Sequence, residues 1–294
     1  MRLEGKVAMV VGAGQAPGRM TGNGKATSLV FAREGAKVLC VDRDKAAAEE
    51  TVAAIRAQGG TAEAAVADVR DEDAIKAVVA GCVDLWGKID VLDNNVGVAM
   101  AFNDAPLTEI TVEAFDVITA INLRGMVLTC KHVVPVMRKQ ETGGSIINIS
   151  SSAARNSYPY VTYKTSKAAV IALTQHVAIW NAKYGIRANT IIPGSLNTPT
   201  AIENRVKKYN LDFDEVVRQR DADIPLRGKM GTAWDLANAA LFFASEESSF
   251  ITGAELPLDG GLSIMVGRPP MAAEAAEQDA TATSPSQQEG NARG

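Results

Sequence analysis

Two overlapping Tyr–Lys pairs stand in the segment YPYVTYKTSK, which covers residues 158–167. Tyr160 and Lys164 are four residues apart, and Tyr163 and Lys167 have the same spacing. Residues four apart share one face of a helix, so either pair would place an ammonium beside a phenol. A nearby positive charge favours the phenolate, which makes the phenol a candidate general acid or base. The spacing alone leaves open which pair does this chemistry, or whether neither does.

A glycine-rich segment, GAGQAPGRMTGNGKA, follows the apolar run at 7–11, and a helix is predicted to begin near Asn23. Glycines in this position allow backbone amides and a helix N-terminus to approach a pyrophosphate. Gly14 and Gly18 either join this contact or only form the turn. The residues predicted to bind the phosphates are Gly12, Gly22, Asn23 and Gly24.

An acidic residue, Asp42, ends the next apolar run, KVLCVD. A carboxylate here accepts hydrogen bonds from the adenosine ribose hydroxyls and repels a 2′-phosphate, so Asp42 favours NAD over NADP. Arg43 follows it and would weaken that preference. A surface turn is the alternative role for Asp42.

The elements that would position these residues are short β-rich apolar runs alternating with amphipathic helical stretches. Several runs are apolar throughout, as expected for parallel strands buried on both faces. The alternation predicts an α/β fold: one Rossmann-type, doubly wound parallel sheet of about seven strands with helices on both faces, in one domain over residues 1–266. The runs lie at 7–11, 37–41, 62–66, 89–93, 145–150, 187–192 and 254–258.

Composition and net charge indicate which binding partners and which cell compartment to expect. The 294 residues carry a net charge of −4 with no long basic run, so nucleic acid is not the expected partner. Three scattered cysteines form neither a disulfide framework nor a zinc motif, and no metal is expected. No apolar stretch approaches the roughly 18 residues of a membrane span, and the N-terminal run is too short for a signal peptide. We therefore predict a cytoplasmic protein that does not enter a membrane.

The composition changes at Gly267. Residues 267–294 are rich in Ala, Glu, Gln, Ser and Pro and nearly lack large apolar side chains. Such a segment cannot offset its ordering entropy by burial, so it is predicted to be a disordered tail.

From about Leu3 to Ser263, the ordered motifs resemble the short-chain dehydrogenase/reductase family. The glycine turn resembles the family pattern T-G-x3-G-x-G, with Val11 in place of Thr and nine residues instead of three between Gly12 and Gly22. The turn is therefore predicted to be enlarged. Further similar segments follow in order: DVR at 68–70, NNVG at 94–97, INLRG at 121–125, IINISS at 146–151, PGSLNTP at 193–199 and ITGAELPLDGG at 251–261. The resemblance implies additional cofactor contacts from Asp68, Val69, Asn95, Pro193, Gly194 and Thr198.

The resemblance also selects one Tyr–Lys pair. YKTSKAAV, which begins at Tyr163, matches the family segment Y-x-x-S-K-A, whereas Tyr160 follows Pro159 and suits the first turn of a helix. We predict that Tyr163 is the general acid/base and that Lys167 lowers its pKa and binds the nicotinamide ribose. Tyr160 and Lys164 are then expected to be a pocket wall and a surface charge.

Two polar residues complete the implied catalytic set. Asn122, in INLRG, is expected to position a water that relays protons past Lys167. Matching the strand IINISS selects Ser151 to hold the substrate oxygen, whereas counting back from Tyr163 selects Ser150. Strand geometry constrains position more than loop length does, so Ser151 is preferred.

The implied function is an NAD(H)-dependent oxidoreductase that interconverts a secondary alcohol and a ketone by hydride transfer. A dihydrodiol or hydroxysteroid substrate stays open. A 3-oxoacyl-thioester reductase using NADPH is the near alternative, and Asp42 counts against it. A non-catalytic dinucleotide-binding scaffold is the alternative of a different class.

The resemblance also places the pocket and the oligomer contacts. A mobile helical lid is predicted at about 198–220, and aromatic side chains indicate an apolar or aromatic-tolerant pocket, although some of these residues would instead belong to the core. A homotetramer is expected through the long helices after the fourth and fifth strands, with 234–253 as a second apolar interface. The expected pocket residues are Val98 to Phe102, Ser152, Tyr158, Tyr160 and Leu196.

Overall fold

The computed structural model of the protein describes residues 1–15 and 17–267. The predicted disordered tail, apart from Gly267, lies outside the described residues.

In the described part of the chain, seven parallel strands form one sheet in the order β3–β2–β1–β4–β5–β6–β9. Two short strands, β7 and β8, pair separately. The predicted doubly wound sheet is confirmed, and the fourth strand begins two residues later than predicted. In chain order the strands are β1 Val7–Val11, β2 Lys37–Asp42, β3 Thr61–Val66, β4 Val91–Asn94, β5 Gly144–Ile149, β6 Ile186–Pro193, β7 Leu196–Asn197, β8 Gly231–Thr232 and β9 Glu255–Leu258.

Helices cover both faces of the sheet. The α-helices are α1 Asn23–Arg33, α2 Lys45–Ala57, α3 Glu72–Trp86, α4 Val112–Thr119, α5 Gly125–Met137, α6 Val161–Asn181, α7 Pro199–Tyr209, α8 Phe213–Ala222 and α9 Ala233–Ala244. A π-helical segment, Ala120–Arg124, joins α4 to α5, and 3-10 turns occupy Ser152–Ala154, Ala182–Tyr184, Glu246–Ser248 and Leu262–Ile264. Apolar side chains of α1, α2 and α9 pack on one face of the sheet, and those of α3, α5 and α6 pack on the other.

A smaller apolar cluster lies outside the sheet. Ile202 of α7, Val216 of α8, Ile224 and Met230 are buried against one another. The predicted helical lid at 198–220 is thus a pair of helices with its own core.

One helical run within the described residues, Val112–Met137, is long and apolar enough to span a membrane. However, 56% of its most apolar window is buried inside the protein. This run contains α5, which packs on the sheet as a core helix.

Candidate active site

A cavity of about 710 Å³ lies along the carboxyl ends of the strands, from Asp42 after β2 to Tyr158 beyond β5. Its size is that of a small-molecule or cofactor site. It opens where the strand order reverses between β1 and β4, which is where doubly wound sheets bind ligands.

The glycine turn forms one wall of this cavity. Gly12 has φ +89, and a Cβ on Gly24 would lie 1.9 Å from the carbonyl oxygen of Gly12, so only glycine lets α1 pack this closely. The helix begins after Gly22 without a side-chain cap and without an acidic residue in its first turn. Its first amides therefore remain available to an anion, and Gly12, Gly22, Asn23 and Gly24 all line the cavity. Their binding of a cofactor stays a prediction.

Gln15 is a cavity residue that the sequence motifs did not indicate. Its amide nitrogen donates to the Met20 carbonyl at 2.9 Å, and its amide oxygen accepts from the Gly22 N–H at 3.1 Å. The side chain therefore holds the turn closed between Gly12 and Gly22. The resemblance assigned no role to this residue, so the motif carried no signal for it.

The far end of the cavity carries carboxylates, among them Asp42 and Asp68. Asp42 accepts from the Gly14 N–H at 2.9 Å and from the Asp44 N–H at 3.1 Å, which fixes it at the cavity edge. Asp68 is bound by the guanidinium of Arg70, and these hydrogen bonds hold the pKa of Asp68 below its usual value. Asp42, Asp68, Val69 and Asn95 all line the cavity, and their contacts with a cofactor stay predictions.

These features fit a dinucleotide. Asn23 Oδ1 is buried beside the α1 N-terminus with no hydrogen-bond partner. A Cβ on Gly97 would lie 2.8 Å from the Lys167 ammonium, so glycine lets the loop after β4 approach Lys167 this closely. Pro193, Gly194 and Thr198 also line the cavity.

Tyr163 and Ser151 meet at the other end of the cavity. The Ser151 hydroxyl is hydrogen-bonded to the Tyr163 phenol, and it also accepts from the Ala153 N–H at 3.2 Å. Ser150 instead donates its hydroxyl to the Lys167 carbonyl at 2.7 Å and is only 2% exposed. The geometry therefore brings Ser151, and not Ser150, to the phenol.

Lys167 lies on the same helical face as Tyr163 but is not hydrogen-bonded to it. Its ammonium donates to the Ile149 carbonyl at 2.8 Å and lies 6.0 Å from the centre of the Tyr163 ring. Burial lowers the pKa of Lys167 to about 8, and burial raises the pKa of Tyr163. Burial therefore disfavours the charged form of both side chains.

Asn122 stands in the π-helical segment and is fully buried. Its side chain accepts from the Val98 N–H at 2.8 Å and donates to the Val98 carbonyl at 3.0 Å. It therefore holds the loop after β4 in place. The water relay expected of Asn122 stays a prediction.

The second Tyr–Lys pair has other contacts than expected. Lys164 is half-buried, and its ammonium donates to the carbonyls of Ala153 (3.1 Å) and Asn156 (2.6 Å). The Tyr160 hydroxyl lies 2.6 Å from that of Tyr209 on α7. The pair therefore braces the loop after β5 and the lid, which corrects the expectation of a surface charge and a pocket wall.

The substrate end of the cavity contains most of the predicted pocket residues. Those lining it are Val98, Ala99, Met100, Ser152, Tyr158 and Leu196. Phe102 is instead 42% exposed. The lid adds Arg205 and Arg220, which sequence reasoning missed because no motif marks them and only the packing of α7 and α8 brings them to the cavity.

Comparison with known proteins gives consistent matches over most of the chain. A family model described as Enoyl-(Acyl carrier protein) reductase matches residues 18–263. The chain is 40% identical over 262 residues to the uncharacterized oxidoreductase YxbG of Bacillus subtilis, covering 89% of this chain and 92% of that protein. It is 39% identical over 265 residues to the 3-oxoacyl-(acyl-carrier-protein) reductase FabG of Thermotoga maritima, covering 90% and 100%. The crystal structure of levodione reductase is similar with a TM-score of 0.83 at 29% identity, covering 90% and 100%.

Proposed function

The chain belongs to the short-chain dehydrogenase/reductase family of oxidoreductases, and on that premise we propose that it interconverts a secondary alcohol and a ketone with NAD(H). The observation that carries the proposal is the hydrogen bond between Tyr163 and Ser151 in a cavity that also contains Lys167 and Asp42. The proposal includes a glycine turn that is enlarged relative to the family pattern.

Tyr163 is the proposed general acid/base. A free tyrosine titrates near 10, and lowering its pKa to about 7 requires about 4 kcal/mol. The Lys167 ammonium lies 6.0 Å from the centre of the Tyr163 ring, and a charge at about that distance would supply about 3 kcal/mol at an effective dielectric near 20. Burial acts in the opposite direction. When bound, the nicotinamide supplies the hydride acceptor and, in its oxidised form, further positive charge.

Three side chains take part in the proposed proton transfer at the substrate oxygen. Tyr163 accepts the hydroxyl proton of the alcohol, or donates a proton to the ketone in the reverse direction. Ser151 holds that oxygen beside the phenol. Lys167 stabilises the phenolate.

The test of the chemistry is a pair of matched variants. With NAD and a panel of secondary alcohols, Tyr163→Phe should lose about 10²–10⁴-fold in turnover while still binding NADH, because only the ionisable group is removed. Tyr160→Phe should keep most of the activity, since its hydroxyl contacts Tyr209. NADH formation at 340 nm and NADH fluorescence are the measurements. Full activity in Tyr163→Phe would exclude the scheme.

The proposed preference for NAD depends on Asp42. Replacing it by Ala should lower kcat/KM with NAD by about 10–100-fold, because charge-assisted hydrogen bonds to the ribose are lost, and should improve kcat/KM with NADP. The companion variant Arg43→Ala should widen the preference for NAD. An unchanged ratio of kcat/KM for NAD and NADP in Asp42→Ala would contradict this role.

The second candidate function is reduction of a 3-oxoacyl thioester with NADPH, which the similarity to the Thermotoga maritima FabG favours. Testing acetoacetyl thioesters as substrates in the same assay distinguishes the two candidate functions. The scaffold alternative predicts cofactor binding without turnover of any substrate.

A further inference from the structure

Two arginines of the lid line the substrate end of the cavity. Arg205 is on α7, and Arg220 is on α8. Among the described residues, neither guanidinium has a hydrogen bond or an ion pair, and Arg220 Nε is buried without a partner. A buried cationic donor without an acceptor is costly, so this pair requires an explanation.

Two other arginines of the described chain are paired. Arg218, two residues before Arg220 on α8, binds Glu215, and Arg155 binds Glu255. Arg205 and Arg220 instead repel each other. Burial, together with the charge of Arg205, lowers the pKa of Arg220 to about 10, and Asp223 opposes this shift. Arg220 therefore stays protonated at neutral pH and lacks a counter-charge in contact.

The cavity has no carboxylate at this end within the described chain. Its carboxylates are Asp42, Asp44 and Asp68, which belong to the strand ends of β2 and β3, away from the lid. Asp104 and Asp223 act on Tyr158 and Arg220 from outside the lining, so the charged groups that line the lid end are the two guanidinium groups. An oxyanion is the group that this environment would attract.

Tyr158 is a third polar residue at this end of the cavity. Its ring centre lies 5.3 Å from that of Tyr163. The charge of Arg205 acts on the pKa of Tyr158, and Arg220 interacts with Tyr158 as well, whereas neither arginine is among the groups that shift the pKa of Tyr163. The two arginines thus act electrostatically on Tyr158, and all three residues line the same cavity.

We propose that Arg205 and Arg220 bind an oxyanionic group of the substrate, such as a carboxylate, several bonds from the carbon that exchanges hydride. This inference rests on the proposed function and specifies its substrate class as hydroxy acids and keto acids with a remote charge. The planar guanidinium matches an oxyanion through paired N–H donors. The phenol of Tyr158, whose pKa burial raises, stays neutral and can donate to the same group.

The test compares each acid with its uncharged ester. The substrates are 4-oxopentanoate, 5-oxohexanoate and 6-oxoheptanoate, each beside its methyl ester, with the preferred reduced cofactor. The proteins are the wild type, Arg205→Gln, Arg220→Gln and the double variant. Arg218→Gln is the control, because Arg218 is on the same helix but is exposed and paired with Glu215.

The expected result is a kcat/KM at least about tenfold higher for one acid than for its ester, the scale of a charge-assisted hydrogen bond. The acid-to-ester ratio should fall towards one in both single variants and stay unchanged in Arg218→Gln. A ratio near one in the wild type, or a ratio that persists in the double variant, would overturn the inference.

A calorimetric titration separates this inference from the proposed function. If no ketone is reduced although NADH binds, the proposed function fails. Binding of an acid to the wild type with NADH that is lost in the double variant would still support the anion site. Equal binding to both proteins, or none to either, would overturn it.

Discussion

Asp93 is a buried carboxylic acid on β4, next to the cofactor wall. Its Oδ2 accepts from the Asn95 amide at 3.0 Å, whereas Oδ1 is buried without a partner. Burial raises the pKa of Asp93 to about 7. Because this value exceeds the unfolded value near 4, the native state binds more protons between these pH values. The contribution of Asp93 to stability therefore falls as the pH rises from about 4 to about 7.

At the residue scale, we predict that Asp93→Asn stabilises the protein at neutral and alkaline pH. A pKa raised by about 3 units corresponds to as much as about 4 kcal/mol in the free energy of unfolding at pH 8. The gain should shrink towards zero as the pH approaches 4. Urea unfolding between pH 4.5 and 8 measures it, with the exposed Asp116→Asn on α4 as the control. A gain that does not vary with pH would show that titration of Asp93 is not its cause.

At the element scale, the start of α1 depends on its contact with the glycine turn. Gly24→Ala should prevent cofactor binding and destabilise the fold, because the new Cβ would meet the Gly12 carbonyl at 1.9 Å. Gly81→Ala is the matched control: this glycine is inside α3 with nothing within 4 Å of a new Cβ. The control should be neutral or stabilising by about 1 kcal/mol, since alanine favours helix. Thermal unfolding and NADH titration of both variants provide the comparison, and normal NADH affinity in Gly24→Ala would refute the role of this contact.

The glycine turn and the lid also meet each other. The Arg19 N–H donates to Glu203 of α7 at 3.2 Å, and the Arg19 guanidinium lies 4.3 Å from the centre of the Phe213 ring. Met20 packs against the apolar cluster of the lid. The glycine turn and the lid are therefore in direct contact outside the sheet.

At the scale of the whole molecule, large apolar side chains are exposed on the helices after β4 and β5. Phe115 is 43% exposed on α4, and Ile179 and Trp180 of α6 are 73% and 66% exposed. Exposed apolar patches mark protein interfaces. We propose that these helices form the main interface of a homotetramer, with Trp234 and Phe250 in a second one. A cytoplasmic location also stays a prediction.

We predict that Trp180→Asp lowers the mass measured by sedimentation from that of four copies to that of fewer copies. The reason is that the new charge would be buried without a partner in the interface. Val66→Asp, a change at an exposed position on the edge strand β3, should leave the mass unchanged. Analytical ultracentrifugation of both variants distinguishes the two outcomes. A wild-type monomer would exclude the tetramer.

The sequence by itself determined what depends on local pattern. The apolar runs predicted the strands because a strand buried on both faces needs apolar residues throughout. The glycines before Asn23 predicted the start of α1, and the segment from Tyr163 to Lys167 separated one Tyr–Lys pair from the other.

Only the tertiary structure decided what depends on contacts between distant segments. Ser150 and Ser151 are adjacent and of one residue type, and packing against α6 turns only the second towards Tyr163. Arg205 and Arg220 are on two helices without a shared motif, and the fold of the lid brings both to the cavity. Burial and long-range electrostatics result from the packing of whole elements, so residues that are adjacent in the sequence do not determine them.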